Sequence, residues 1–190
     1  MTTRNPRLAL ERANAVLLVI DVQERLGAAM DPARFAQTLK NTEILVESAK
    51  TLGMPVLVTE QYPKGLGPTV ASLRQALPPE ATPLAKTAFS CVAVDDVARQ
   101  LRESGRKQVI IAGMEAHVCV FQTVRDLIAE GYLPFVPRDA VLSRTTDNHE
   151  TGLALMRESG ATVTSTEAVV FDLLGGAGTP EFKKLSPLVK

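Results

Sequence analysis

Three residues of this chain have side chains that could support nucleophilic chemistry: Asp21, Lys86 and Cys119. Cys119 could supply a sulfur nucleophile, Asp21 a carboxylate that takes up a proton, and Lys86 a positive charge that organises both. Each residue alone also has a structural alternative. An aspartate after a strand often caps a loop or helix, most lysines are solvated, and a lone cysteine is commonly buried and inert.

Asp21 and Cys119 each follow a segment that is predicted to be a strand. Residues 15–20 form an unbroken apolar run, which indicates a strand covered on both faces, and Asp21 comes directly after it. Cys119 follows a predicted strand at 108–112 and lies in the first turn of a predicted helix at 118–130. Backbone N–H groups at a helix N-terminus stabilise a thiolate and can serve a developing oxyanion. Because ligands bind beyond the carboxyl ends of parallel strands, both residues are candidates for one site.

Lys86 lies in the segment 83–90, whose other residues are apolar or small. In an apolar pocket an ammonium group needs a carboxylate partner, and near a thiol it lowers the thiol pKa. Together, Asp21, Lys86 and Cys119 would make a base, an organising charge and a nucleophile.

Strands and helices alternate along the chain. Apolar runs predict strands, and segments with helical spacing, most of which stop at a glycine, predict helices. Two of these helices are expected to begin with capping boxes, Asp147 with Glu150 and Thr164 with Glu167. The strands are predicted at 15–20, 56–59, 108–112, 133–136 and 161–163, and the helices at 31–53, 95–104, 118–130, 147–159 and 164–174. This order predicts an α/β fold with three layers, α/β/α, around a central, mostly parallel, doubly wound sheet.

The composition indicates one globular domain over residues 1–190, with a core at about 15–174 and a C-terminal tail at 175–190. The chain is 45% hydrophobic and carries 21 Lys and Arg against 21 Asp and Glu. This balance gives no basic surface that would attract nucleic acid or an anionic membrane, so neither partner is expected.

The location of the protein is predicted from its N-terminus and its cysteines. Residues 1–14 are charged rather than apolar, and no run approaches the ~20 apolar residues of a membrane span. The two cysteines, Cys91 and Cys119, are too few for a disulfide framework. We therefore expect a cytoplasmic protein.

Three segments resemble the catalytic blocks of the isochorismatase-like cysteine hydrolases, and they occur in the order seen in that family. The segments are Val19-Ile20-Asp21-Val22-Gln23, Ala85-Lys86-Thr87 and Gly113-Met114-Glu115-Ala116-His117-Val118-Cys119-Val120. The stretch 57–69 is most similar to the isochorismatase domain-containing proteins of this superfamily. The resemblance covers residues 15–174.

This resemblance implies a hydrolase that attacks an amide-like or related acyl carbon of a small molecule through a covalent thio-intermediate. It makes Cys119 the nucleophile, Asp21 the base and Lys86 the residue that balances the charge of the pair. It also places a cis peptide bond at Met114–Glu115 and an oxyanion hole at the backbone N–H groups of Glu115 and Cys119. Self-association is expected because relatives in this family are commonly oligomers.

Several positions depart from better-known branches of the family. Nicotinamidases resemble one another in a metal site of Asp and His ligands soon after the second strand. Here that region reads Glu60-Gln61-Tyr62-Pro63, and the chain has only two histidines, His117 and His149. We therefore expect no metal and no cofactor. True isochorismatases tend to have glycine at the position of Cys119. Gln61, Tyr62 and His117 are predicted to contact the substrate.

Three alternatives remain open from the sequence. A non-catalytic member of the same fold would have an ordinary thiol at Cys119. A thiol redox protein would pair Cys119 with Cys91, although the chain has no Cys-x-x-Cys motif. Nucleotide or flavin binding would need a phosphate-binding loop, and neither a dinucleotide fingerprint nor a P-loop is present.

Overall fold

The fold is built around a parallel sheet. The computed structural model describes residues 5–190, so the first four residues of the N-terminal segment discussed above lie outside the described part. Within it the strands are β1 Ala15–Ile20, β2 Val56–Gln61, β3 Leu84–Lys86, β4 Gln108–Met114, β5 Leu133–Pro137, β6 Val141–Leu142 and β7 Thr162–Thr164. Their order in the sheet is β3-β2-β1-β4-β5-β7, and β6 extends the sheet beside the end of β4. Each of these strand pairs is parallel.

Helices cover both faces of this sheet. The α-helices are α1 Glu24–Ala28, α2 Pro32–Leu52, α3 Pro63–Leu66, α4 Ala71–Ala76, α5 Asp95–Glu103, α6 Phe121–Ala129, α7 Thr146–Glu158, α8 Thr166–Leu174 and α9 Pro180–Leu185. Alternate residues of β1 enter two different cores, with Leu17 and Val19 in one and Val16 and Leu18 in the other. The predicted three-layer α/β/α architecture is confirmed.

The two central strands approach each other closely at their carboxyl ends. Gly113 near the end of β4 pairs with Ile20 at the end of β1. A Cβ atom at Gly113, which has a φ of 125°, would lie 1.9 Å from the carbonyl oxygen of Ile20. Only glycine fits at this position. The residues that follow β1 and β4 in the chain lie at this same edge of the sheet.

The region between β2 and β3 is more regular than the sequence indicates. Its proline-rich segment forms the short helices α3 and α4, and the strand β3 then follows at its end. Neither β3 nor β6 was predicted. Both are too short, at three and two residues, to show a period of hydrophobic residues.

Three helix starts differ from the sequence prediction. The helix α7 is capped by Thr145, whose side chain accepts from the Asn148 N–H, rather than by Asp147. The helix α8 is capped in the same way by Ser165, one residue after the predicted Thr164. The predicted helix 118–130 begins earlier, as a π-helix at Ala116–Val120 that continues into α6. In α7 and α8 a residue other than the predicted one satisfies an N–H group of the first turn.

The end of the chain packs onto the domain through α9. Leu185 is fully buried and contacts Ile44 of α2 and Val170 of α8. Among residues 5–190, no helix is both long enough and apolar enough to cross a membrane.

Candidate active site

Asp21 lies at the carboxyl end of β1 with its side chain fully buried. Its backbone has a φ of 54°, in the left-handed region that aspartate tolerates better than most residues, and this ends the extended strand. One carboxylate oxygen, Oδ1, accepts a hydrogen bond from Thr59 Oγ1 at 2.8 Å. The other, Oδ2, lies 2.6 Å from Lys86 Nζ. The two oxygens of this carboxylate are therefore held by residues of β2 and β3.

Lys86 reaches Asp21 from the end of β3, which lies two strands away from β1. Its ammonium group has no exposed surface. Besides Asp21, Nζ donates to Gln61 Oε1 at 2.7 Å and to the carbonyl oxygens of Phe89 at 3.2 Å and Ala88 at 3.3 Å. The structure thus surrounds a buried cation with oxygen atoms, as its burial requires.

Cys119 lies within the π-helix at the end of β4 and is 6% exposed. Its backbone is held by Thr123, whose Oγ1 donates to the Cys119 carbonyl at 2.6 Å and accepts from the Cys91 N–H at 2.9 Å. Cys119 and Asp21 line the same cavity, and the charge of Asp21 raises the pKa of the Cys119 thiol. The three residues predicted to carry chemistry are therefore brought together.

The electrostatics of this cluster are dominated by burial. Burial raises the pKa of Asp21, although Lys86, Thr59 and Cys119 each lower it. Burial lowers the pKa of Lys86, but the charge of Asp21 and the two nearby cysteines outweigh this effect, so the net shift is upward. Burial, followed by the charge of Asp21, raises the pKa of Cys119 to about 12. Lys86 does lower it, as predicted, but this smaller effect does not produce a lowered thiol pKa.

A cavity of about 130 Å³ opens onto the cluster. Its walls are mainly apolar side chains, together with the polar residues of the site. The residues that line it are Asp21, Leu26, Gln61, Leu66, Phe89, Glu115, Val118 and Cys119. The described residues thus form a small chamber with the thiol and the carboxylate at its surface.

Of the three residues predicted to contact the substrate, Gln61 is the one that lines this cavity. Its side-chain amide is already bonded, with Oε1 to Lys86 and Nε2 to the carbonyl of Thr87. Tyr62 is 55% exposed and does not line the cavity. His117 does not line it either, and its Nδ1 lies 3.0 Å from Ser143 Oγ.

Glu115 forms part of the cavity wall. The peptide bond between Met114 and Glu115 is cis. The Glu115 carboxylate accepts hydrogen bonds from both the backbone N–H and Nε of Arg144, each at 3.0 Å. These bonds hold the start of the π-helix against the segment that precedes α7.

The sequence did not point to Thr59 or Gln23 as members of the site. Thr59 lies opposite Ile20 in the register of β1 and β2, which brings its hydroxyl to Asp21. Gln23 is fully buried and bonds Gln61 twice, donating to its carbonyl at 3.0 Å and accepting from its N–H at 2.8 Å. The available sequence signal for Thr59 was its position as a polar residue at the end of a predicted strand. That position does not show that its hydroxyl contacts Asp21.

Cys91, the second cysteine, also contacts Thr59. Its Sγ is 3.6 Å from Thr59 Oγ1, and burial raises its pKa to about 11. Both cysteines are free thiols. Among residues 5–190, no group of three or more His, Cys, Asp or Glu side chains is placed to hold a metal ion.

Comparison with known proteins gives matches over most of the chain. The Isochorismatase domain family model matches residues 15–168. The secreted isochorismatase effector Isc1 of Phytophthora sojae is 40% identical, over 93% of this chain and 85% of the effector. Isochorismatase domain-containing protein 2 of Homo sapiens is 36% identical, over 93% of this chain and 83% of its own length.

Solved structures give the same result. The MAR1 ribonuclease from Caenorhabditis elegans has a TM-score of 0.89 at 35% identity, covering 95% of this chain and 92% of that protein. The YcaC gene product of Escherichia coli, described as an octameric hydrolase of unknown specificity, has a TM-score of 0.83 at 25% identity, covering 91% and 85%. The fold is therefore shared with proteins of known structure.

Proposed function

This chain belongs to the isochorismatase family, and on that basis we propose that it is a cysteine hydrolase that cleaves an amide-like or related acyl bond of a small molecule. The observation that carries the proposal is the buried Asp21 carboxylate, which lies 2.6 Å from Lys86 and lines the same cavity as Cys119. This is the arrangement of nucleophile, base and orienting charge that covalent catalysis needs.

The raised thiol pKa decides how the first step proceeds. With a pKa of about 12, Cys119 is a protonated thiol at neutral pH. Asp21 takes this proton as the sulfur attacks the acyl carbon, so a free thiolate does not accumulate. The proton then passes to the leaving amine as the C–N bond breaks, which leaves a thioester on Cys119. Water, deprotonated by Asp21, hydrolyses the thioester, and the thiol recovers its proton.

The oxyanion of each tetrahedral intermediate would be stabilised by the backbone N–H groups of Glu115 and Cys119. Both residues line the cavity. The Glu115 N–H donates to no other group among residues 5–190, which leaves it available to a substrate oxygen. Lys86 contributes through Asp21, whose charge it balances.

The cavity favours a compact, uncharged acyl group. Its volume of about 130 Å³ lies below the ~300–1,000 Å³ of typical ligand pockets. Leu26, Leu66, Phe89 and Val118 supply apolar contacts, and none of the described residues that line it is cationic. The absence of a basic wall among the described residues does not favour a phosphodiester, so the activity named for the MAR1 protein is not extended to this chain.

Self-association is part of the same proposal. The E. coli YcaC protein is described as octameric, and it aligns with 91% of this chain. We expect this protein to form an oligomer of identical chains as well. Size-exclusion chromatography with light scattering gives the mass of the assembly, and a monomer at micromolar concentration contradicts this expectation.

The catalytic arrangement is tested without a substrate by alkylation. The rate of Cys119 modification by iodoacetamide is measured against pH in the wild type, Asp21→Asn and Lys86→Met, with mass spectrometry identifying the modified cysteine. Asp21→Asn removes a charge that raises the thiol pKa, so alkylation at a given pH becomes faster. Lys86→Met removes a charge that lowers the thiol pKa, so alkylation becomes slower. Each change should be tenfold or more, since one pKa unit changes the thiolate fraction about tenfold.

A matched control and a second readout complete the test. Arg157→Gln, an exposed change on α7, should leave the alkylation profile unchanged. The Asp21→Asn variant should also lose turnover of small amides even though its thiol reacts faster with iodoacetamide. The hydrolase proposal fails if Cys119 titrates near the ordinary value of about 8.5 and ignores both substitutions. That result would favour a non-catalytic member of the fold.

A further inference from the structure

The cavity at Cys119 has a buried inner end and a partly exposed outer end. Asp21 and Cys119 are buried, whereas Leu26 and Leu66, which line the same cavity, are partly exposed. A molecule that reaches the thiol from solvent therefore passes partly exposed side chains, and Leu66 is one of them. Leu66 belongs to the segment 62–67, which contains the short helix α3. We call this segment the α3 loop.

One buried side chain holds both ends of the α3 loop. Gln23 has no exposed surface. Its Nε2 donates to the carbonyl oxygens of Gln61 at 3.0 Å and Gly67 at 2.6 Å, and its Oε1 accepts from the Gln61 N–H at 2.8 Å. Gln61 directly precedes the loop and Gly67 ends it, so a single amide group closes the loop at its base.

A second buried side chain holds the chain just beyond the loop. Glu60 Oε1 accepts hydrogen bonds from both the N–H and Oγ1 of Thr69, each at 2.7 Å. Glu60 lies on β2, directly before Gln61, so this bond joins the strand that leads into the loop to the segment that leaves it. The base of the loop is therefore fixed on both sides.

The α3 loop itself has little structure that could hold it in place. It makes one helical turn, in which the Leu66 N–H donates to the Tyr62 carbonyl at 3.0 Å. The exposed Arg25 side chain donates to the Gly65 carbonyl at 2.7 Å. A single turn is not stable on its own, and water competes less for buried hydrogen bonds than for exposed ones. The position of Leu66 therefore depends mainly on the buried bonds at the base of the loop.

We propose that the α3 loop limits the size of the acyl compounds that reach Cys119, with Leu66 as the specificity-determining residue and Gln23 as the positioning residue that holds the loop. The proposal rests on the proposed function, since it concerns access to the same thiol. Leu66 is part of the wall of a chamber of only about 130 Å³, so its removal or displacement enlarges the chamber. Gln23 does not line the cavity and acts through Leu66.

Two alkylating reagents of different bulk test the proposal. The rates of Cys119 modification by iodoacetamide and by N-tert-butyl iodoacetamide are measured at one pH. Their ratio is divided by the ratio for glutathione, which corrects for intrinsic reactivity. The wild type should disfavour the bulky reagent about tenfold or more, as expected for extra methyl groups in a tight apolar pocket. Leu66→Ala and Gln23→Met should each remove most of this preference.

The variants are matched to separate the loop from general stability. Lys64→Ala changes an exposed residue of the same loop that does not line the cavity, so it should keep the wild-type ratio. Gln23→Met keeps the length of the side chain and loses its three hydrogen bonds. Gln23→Glu, which keeps the acceptor but loses the donated bonds, replaces it if circular dichroism shows that Gln23→Met is unfolded. Cys91 is fully buried and should stay unmodified in every variant, because its alkylation would report a loosened fold.

This proposal and the hydrolase proposal fail in different measurements. The pH profile with iodoacetamide, and its response to Asp21→Asn and Lys86→Met, tests the hydrolase proposal, whereas the corrected ratio of the two reagents tests the loop. The role of the loop is overturned if the wild type accepts both reagents equally or if the Leu66 and Gln23 variants keep the wild-type ratio. It is also overturned if the preference is lost only where Cys91 becomes modified as well.

Discussion

At the scale of single residues, Thr59 is one of the groups that set the pKa of the carboxylate at the centre of the site. Its hydroxyl donates to Asp21 Oδ1 at 2.8 Å, and this bond lowers the pKa of Asp21 against the larger upward effect of burial. A carboxylate that must take a proton from a thiol is a better base when its pKa is raised, but it must also stay ionised at neutral pH. Thr59 favours the ionised form.

Thr59→Val should therefore raise the pKa of Asp21. Valine keeps the shape of threonine but cannot donate a hydrogen bond. The protonated form of Asp21 therefore becomes more stable relative to the ionised form. Carboxyl ¹³C NMR gives the midpoint of Asp21 directly, and we expect a shift of about one pKa unit, which is worth about 1.4 kcal/mol. As the pH is lowered, the variant should lose its activity toward an amide substrate at a correspondingly higher pH than the wild type does.

Thr59→Ser is the matched control, because serine keeps the donor and loses only a methyl group. It should titrate close to the wild type. If Thr59→Val leaves the Asp21 midpoint unchanged, the hydrogen bond does not set the pKa of the base.

The members of the site differ in how far their roles could be predicted from the sequence. Asp21 and Cys119 were candidates because each follows an apolar strand, whereas Lys86 was singled out through the resemblance of its segment to a catalytic block of the family. Thr59 was missed because its role depends on the register between β1 and β2, which pairs Ile20 with Thr59. The lowering effect of Lys86 on the thiol pKa was predicted, but the larger upward effect of burial was not, because the extent of burial is not visible in a sequence.

At the scale of elements, the position of Cys119 depends on how α7 packs against the π-helix. Gly152 in α7 lies against the backbone of Ala116 and His117, and a Cβ atom there would approach Ala116 C and O to 2.7 Å. These are backbone atoms, so they cannot move aside as a flexible side chain would. The close approach of the two helices requires glycine.

Gly152→Ala should displace the π-helix and slow the reaction of Cys119 in the alkylation assay. Overpacking of this kind costs about 1–3 kcal/mol, and denaturant unfolding measures that loss. Gly176→Ala is the control, because a Cβ atom at Gly176 would meet no heavy atom within 4 Å. If Gly152→Ala matches this control in both assays, the contact does not position the nucleophile.

Strands and helices were predicted correctly where the hydrophobic pattern extends over many residues. The buried strand β1 and the helix α2, which runs from its Asp31 cap to the left-handed Gly53, are confirmed. The strand β3, which ends at Lys86, was not predicted. Its existence follows from parallel pairing with β2, a long-range contact that local propensity does not encode.

At the scale of the whole molecule, the apolar interior is divided into separate regions. Two large cores lie on opposite faces of the sheet, and Cys119 belongs to one of them. A third, smaller cluster joins α9 to the outer side of α2 and α8, with Leu185 at its centre. This separation implies that the C-terminal segment contributes to stability without shaping the site.

Leu185→Ala tests that division. Leu185 has no exposed surface, so its truncation leaves a cavity against Ile44 and Val170, and we expect the free energy of unfolding to fall by about 2–5 kcal/mol. Alkylation of Cys119 in the folded protein should be unchanged, because its pKa depends on groups around Asp21. Leu188→Ala, at a residue that is 36% exposed, is the matched control and should cost less. If Leu185→Ala altered the pH profile of Cys119, the C-terminal helix would be coupled to the site through α2 or α8, and the interior would have to be treated as one cooperative core.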